Sequence, residues 1–153
     1  MRRFLASLLM LFVLPALAMD NPGAITLGDF QVGAAGTQLG TPVQNLAGMN
    51  CASFEVRFLY GSGGTKTNVY LVTTLDQGQT WIDIANIAFT TSSATQMVNL
   101  CATDKLTSVT APTYLALSDN TTLDGILGDQ LRAVVVSTGT YGGTLVSVRA
   151  VVR

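Results

Sequence analysis

Histidine is missing from this sequence altogether. With it go the commonest general base and the commonest metal ligand. A Ser or Cys nucleophile would therefore have no imidazole partner. Glutamate is nearly missing too: Glu55 is the only one. Glycoside hydrolysis needs two carboxylates across a cleft, and no such pair stands out. Charge is scarce in general, at 11% of residues, with a net charge of −1. No Lys/Arg-rich run exists to displace counterions from a phosphate backbone, which argues against nucleic acid as a partner. Two cysteines without histidine do not make a zinc site. These absences point away from an enzyme and toward a protein with no cofactor. No extended stretch shows helical periodicity either, so helices are not expected to build the fold.

What is present is a chain that is 48% hydrophobic, with apolar residues alternating between clusters of Gly, Ser, Thr, Asn and Asp. That pattern predicts strands and turns. "AITLGDFQV" (24–32) reads as a first strand, "GAAGTQLGTP" (33–42) as a flexible link, and "VQNLAGM" (43–49) as a short edge strand. In "SFEVRFLY" the residues Phe54, Val56, Phe58 and Tyr60 share one face while Ser53, Glu55 and Arg57 share the other, the mark of one buried and one wet face. "GSGGT" (61–65) reads as a hairpin loop. "NVYLVTTL" (68–75), "WIDIANIAF" (81–89), "QMVNLC" (96–101) and "TYLAL" (113–117) follow as strands. "LRAVVVSTG" (131–139) and "GTLVSVRAVV" (143–152) read as a closing hairpin over "TYGG". The expected fold is all-β, a jelly-roll-like sandwich of about eight or nine antiparallel strands in a single domain, residues 19–153. An outer-membrane barrel would need aromatic girdles, and the aromatics here are few and scattered. An immunoglobulin domain would need its tryptophan on the strand after the first cysteine, and Trp81 lies too far beyond Cys51.

The first eighteen residues, "MRRFLASLLMLFVLPALA", have two arginines, an apolar run from Phe4 to Leu14, and an Ala-x-Ala close at Ala16–Ala18. This is the layout of a secretory signal peptide cleaved after Ala18. The run is short for a membrane span. A start at Met19 is the other reading and would leave an unexported chain. Export would place Cys51 and Cys101 in an oxidising compartment, where an even pair in a small domain is expected to form a disulfide.

The segment Thr74 to Trp81, "TLDQGQTW", fits Ser/Thr-x-Asp-x-Gly-x-Thr-Trp at every fixed position: Thr74, Asp76, Gly78, Thr80 and Trp81. It resembles an Asp-box, a motif best known from the blades of sialidase-type propellers, where it lies away from the active site. The chemistry of the residues suits a hairpin. Asp76 can accept turn amides, Gly78 can take a positive φ, Thr80 can tie the outgoing strand back, and Trp81 can bury its ring beneath the turn. The chain is too short for a propeller. Arg57, Arg132, Arg149 and Arg153 give no recognisable sialidase cluster, so the motif is read as a structural turn. Asp119, Asp124 and Asp129 could supply carboxylates to calcium but read better as turn formers. Tyr60, Tyr70, Tyr114 and Tyr141 could offer a sugar-stacking platform. Of these, Tyr60 is expected in the core and Tyr141 at an exposed hairpin tip.

The segments "FLYGSGGT", "TTLDQGQTWIDIANIAF", "LDGILGDQLRAVVVSTGTYGGT" and "VSVRAVVR" together resemble small β-sandwich structural and accessory proteins of tailed phages and prophages. The resemblance implies a non-enzymatic virion protein, capsid-decorating or tail-associated, whose partners are its own copies or other virion proteins. A signal peptide departs from that pattern, because virions assemble inside the cell. The competing reading is an exported binding module for a glycan or a protein, periplasmic or extracellular and free of the membrane once its signal is removed.

Overall fold

The computed structural model describes residues 24–103 and 110–153. The expected signal segment, residues 1–18, lies outside them. The strands are β1 (Ala24–Val32), β2 (Gly36–Leu39), β3 (Cys51–Leu59), β4 (Ser62–Gly63), β5 (Lys66–Thr74), β6 (Ile82–Phe89), β7 (Ala94–Cys101), β8 (Thr121–Thr122), β9 (Gln130–Thr138), β10 (Tyr141–Gly142) and β11 (Thr144–Val152). One sheet has the order β1-β11-β3-β7 and the other β2-β9-β5-β6-β8, with β4 and β10 forming a small pair of their own. Every pairing is antiparallel.

With the two-residue strands β4, β8 and β10 set aside, eight strands remain. The first, eighth, third and sixth of these form one sheet, and the second, seventh, fourth and fifth form the other. That nesting of two Greek keys is the jelly-roll sandwich, as the sequence led one to expect. The two inner faces meet in one core. Phe54, Val56, Phe58, Val146 and Val148 come from one side, and Val69, Leu71, Ile87, Leu131 and Val135 from the other. Phe58 stacks on Phe89 across the sandwich, with ring centroids 5.0 Å apart.

The two sheets bury their strands differently, and the residue patterns say why. β3 and β11 alternate strictly between buried and open positions, because only one face of their sheet is covered. β5 is buried at nearly every position and β9 nearly so. Their second face, with Tyr70, Val72 and Val134, is covered by Trp81, Leu115 and Leu117.

Five expectations are corrected. "GSGGT" (61–65) is not a hairpin loop: β3 and β5 lie in different sheets, and Ser62–Gly63 forms β4 on the crossing between them. Residues 33–42 are not wholly a link: Gly36–Leu39 pairs with β9 from Ser137 to Val134. Residues 43–49 form no strand but a single bridge, Val43 to Leu131; Asn45 and Gly48 take positive φ and break the extended run. "TYLAL" is a turn, with Leu115 at φ 60°. Finally, β9 and β11 do not form a hairpin. β9 already has β2 and β5 as neighbours, and β11 has β1 and β3. The short link between them crosses from one sheet to the other, with β10 clipped to β4 on the way.

Candidate functional site

The hairpin between β5 and β6 carries the Thr74–Trp81 motif. Thr73 and Ile82 are the last paired residues before the turn. From there the turn is wired by three side chains. The Thr74 hydroxyl accepts the amides of Asp76 (3.3 Å) and Gly78 (2.9 Å) and donates to Asp76 Oδ1 at 2.7 Å. Asp76 Oδ1 also accepts the Thr80 amide at 2.8 Å, and Oδ2 accepts the Thr80 hydroxyl. Gln77 and Gly78 both have positive φ, 59° and 92°. A side chain at Gly78 would be conformationally strained and would sit 3.7 Å from Trp81 Cζ2. The ring thus lies close beneath the turn.

The hydrogen bonds from the Thr80 hydroxyl and amide, then from the Thr74 hydroxyl, hold the Asp76 carboxyl down at about 2. Both of its oxygens are engaged inside the turn, which suits a brace and leaves the carboxylate poorly placed to act on a substrate. Sequence reasoning gave the amide-accepting role to Asp76. In the structure most of that role belongs to Thr74.

Trp81 is half-buried and stays outside the main core. It packs on the outer face of the five-stranded sheet, with the Arg132 guanidinium 4.2 Å above its ring. This cation–π contact continues outward, because Arg132 donates to the Tyr114 hydroxyl at 2.9 Å. Tyr114 belongs to the loop that covers this face. A buried carboxylate fixes the loop: Asp83 accepts the amides of Leu115, Ala116 and Leu117 at 3.0, 3.0 and 3.1 Å. Successive amides around a left-handed residue form an anion-binding nest, and here the anion is the protein's own. A second set of bonds anchors the loop further along. The Asn68 amide donates to Asn86 and to Asp119, Asn86 donates to the Leu117 carbonyl, and Lys66 pairs with Asp119. Lys66 first, then Asn68, lowers the Asp119 carboxyl below the usual range.

Asp83, Asn68 and Asn86 were missed in the sequence. Their signal was present: polar residues sit at strand positions in "NVYLV" and "WIDIANIAF" that period two does not place at a wet face. Asp119, Asp124 and Asp129 are not gathered around one point. Asp119 holds Lys66 and Asn68, while Asp124 accepts the Cys101 and Gly125 amides. Among the described residues no three acidic or cysteine side chains are grouped as metal ligands. The arginines are separated as well. Arg149 donates through Nη2 to both carboxylate oxygens of Asp29 on the four-stranded sheet, whereas Arg132 stacks on Trp81 on the other. The tyrosines form no platform: Tyr70 is buried, and Tyr141, expected at an exposed tip, is only 5% exposed. Its ring turns inward beside Gly64 and closes one end of the sandwich.

Cys51 and Cys101 are directly opposite one another on β3 and β7 and are joined in a disulfide. No helix among the described residues is long and apolar enough to cross a membrane.

The fold is a jelly-roll β-sandwich with one braced hairpin and one loop-covered face. No protein-family model, curated protein or solved structure matches the chain.

Proposed function

We propose that this chain is a non-enzymatic structural or accessory protein of phage or prophage particles, capsid-decorating or tail-associated, that works through protein–protein contacts. The supporting observation is the jelly-roll topology itself, an architecture used by viral capsid domains. It agrees with the phage-like segments after Ser53. The Asp-box fits as a stiff hairpin: its carboxylate is occupied within the turn, so it braces a surface without offering a reactive group. Mass spectrometry of purified particles from a lysogen carrying the gene tests this. The protein should co-purify with particles at a fixed stoichiometry, starting at or near Met19. Particles devoid of it would remove the proposal.

One observation favours a second reading, an exported module that binds a glycan or a protein. The Cys51–Cys101 disulfide suits a compartment outside the cytoplasm, and jelly rolls also serve as lectin domains. On this reading the signal segment is used and the protein is periplasmic or extracellular. Recovery from periplasm or medium without residues 1–18, together with absence from particles, would select it.

A further inference from the structure

The sandwich protects its sheet edges unequally. A free edge presents a row of unpaired amides and carbonyls, which native proteins blunt with charge, proline, bulges or brevity. β1 has a bulge between Thr26 and Gly28 and carries the charged Asp29. β8 has two residues and β2 has four. β7 has eight, "ATQMVNLC", with no charge, proline, glycine or bulge.

The direction of its free groups follows from the register. Cys51 exchanges both backbone bonds with Arg153, each at 2.9 Å, so its backbone faces β11 and away from β7. The opposed Cys51–Cys101 pair is therefore of the non-hydrogen-bonded kind, and the Cys101 backbone faces outward. There it is already satisfied: Asp124 accepts its amide at 2.7 Å and Gly125 donates to its carbonyl at 3.2 Å. Period two places the backbone groups of Thr95, Met97 and Asn99 on the same outward line. Among the described residues nothing hydrogen-bonds to them. Their side chains share the open face of the sheet, and Met97, at the centre, is 78% exposed.

We propose that β7 is a self-association edge, and that two copies of this chain pair β7 to β7 antiparallel about a two-fold axis through Met97. The strand is self-complementary in that register. Met97 meets Met97 of the second copy, and Thr95 on each side meets Asn99 on the other. The centre is apolar, the flanks can hydrogen-bond, and no like charges oppose. The outward backbone groups of the three residues would form about six inter-chain hydrogen bonds. An isologous contact of this kind closes on itself as a dimer. The proposal does not rest on the particle reading, and a binding module could dimerise in the same way.

Light scattering coupled to gel filtration on the full chain is expected to give a dimer. Met97→Lys places a charge against its own copy at the axis and should leave a folded monomer with unchanged strand content, whose Tm, unlike that of the native dimer, does not depend on concentration. Mild oxidation of Met97→Cys should yield a covalent dimer, because the residue faces itself. Thr95→Cys, facing Asn99, should not. A native chain that stays monomeric at all concentrations overturns the proposal. So does an assembly indifferent to Met97→Lys, or equal cross-linking through Thr95→Cys and Met97→Cys.

Discussion

Asp76 grips its turn with both carboxylate oxygens, and that wiring gives the hairpin an acid limit. Its carboxyl lies at about 2 in the fold against an ordinary 3.8. A depressed carboxyl stabilises the fold when ionised. The contribution is complete above pH 3.8 and is lost as the pH falls through that value to about 2. Asp29 and Asp119 are also lowered, so the native protein loses stability in acid from several sites at once. The comparison that isolates Asp76 is Asp76→Asn, whose Tm should decline less steeply across this window than the native protein's. Identical slopes would mean that the turn does not depend on the charge. Solvent screening at this open site keeps the expected difference to a small shift. Asp83 is the opposite case, fully buried with three amides on its oxygens. Asp83→Ala strips the acceptor from all three and should cost about 2–3 kcal/mol in chemical denaturation. Hydrogen exchange at Leu115, Ala116 and Leu117 should rise first, before the core strands open.

At the scale of elements, the disulfide joins β3 to the edge strand β7 across a separation of 50 residues. In the chain-entropy model such a loop contributes about 4 kcal/mol by restricting the unfolded chain. The Cys51→Ser/Cys101→Ser double variant should lose stability up to that amount while keeping its strand content, and non-reducing peptide mapping of exported native protein should show one linked pair. Free thiols in that material would refute the pairing. The strands themselves were legible to the extent that one local pattern decided them. β3 could be read because period two continues through its whole length, and β1 because alternation holds on either side of its bulge between Thr26 and Gly28. β11 and β9 were both recognised, but their partnership was not. The clue lay in the difference between them: "TLVSVRAVV" alternates, whereas "LRAVVV" is nearly continuous. Strands of one hairpin share a sheet and so share its number of covered faces. These two differ because β9 lies under the Asp83-anchored loop and β11 faces solvent. β2 was hidden by its glycine- and alanine-rich approach, since its pairing with β9 is set by a long-range register. "TYLAL" misled for a related reason: its apolar residues alternate, but Leu115 and Leu117 belong to no strand and instead cover the outer face of the five-stranded sheet.

For the whole molecule, fold class follows from composition and alternation, whereas the loop-covered face depends on contacts between Asp83 and residues some thirty positions away. No local window contains both partners, so the polar residues on the strands could be noticed in the chain but the loop they hold could not be read from it. The motif at Thr74–Trp81 was readable because all its partners lie within one turn. Cellular address is a different matter, because it rests on residues 1–18 and on where the protein is found. The two proposed functions share one fold and diverge there. The charged start, the apolar run and the Ala-x-Ala close predict cleavage after Ala18 when the gene is expressed in a bacterium with an intact export pathway. Intact mass should then show a chain beginning at Met19 with two fewer thiol protons than the reduced form, since export and oxidation of the Cys51–Cys101 pair go together. A reduced chain beginning at Met19 and confined to the cytoplasm would instead mark Met19 as the working start and favour the particle protein. A major species that retains Phe4 to Ala18 would contradict both readings of the N-terminus.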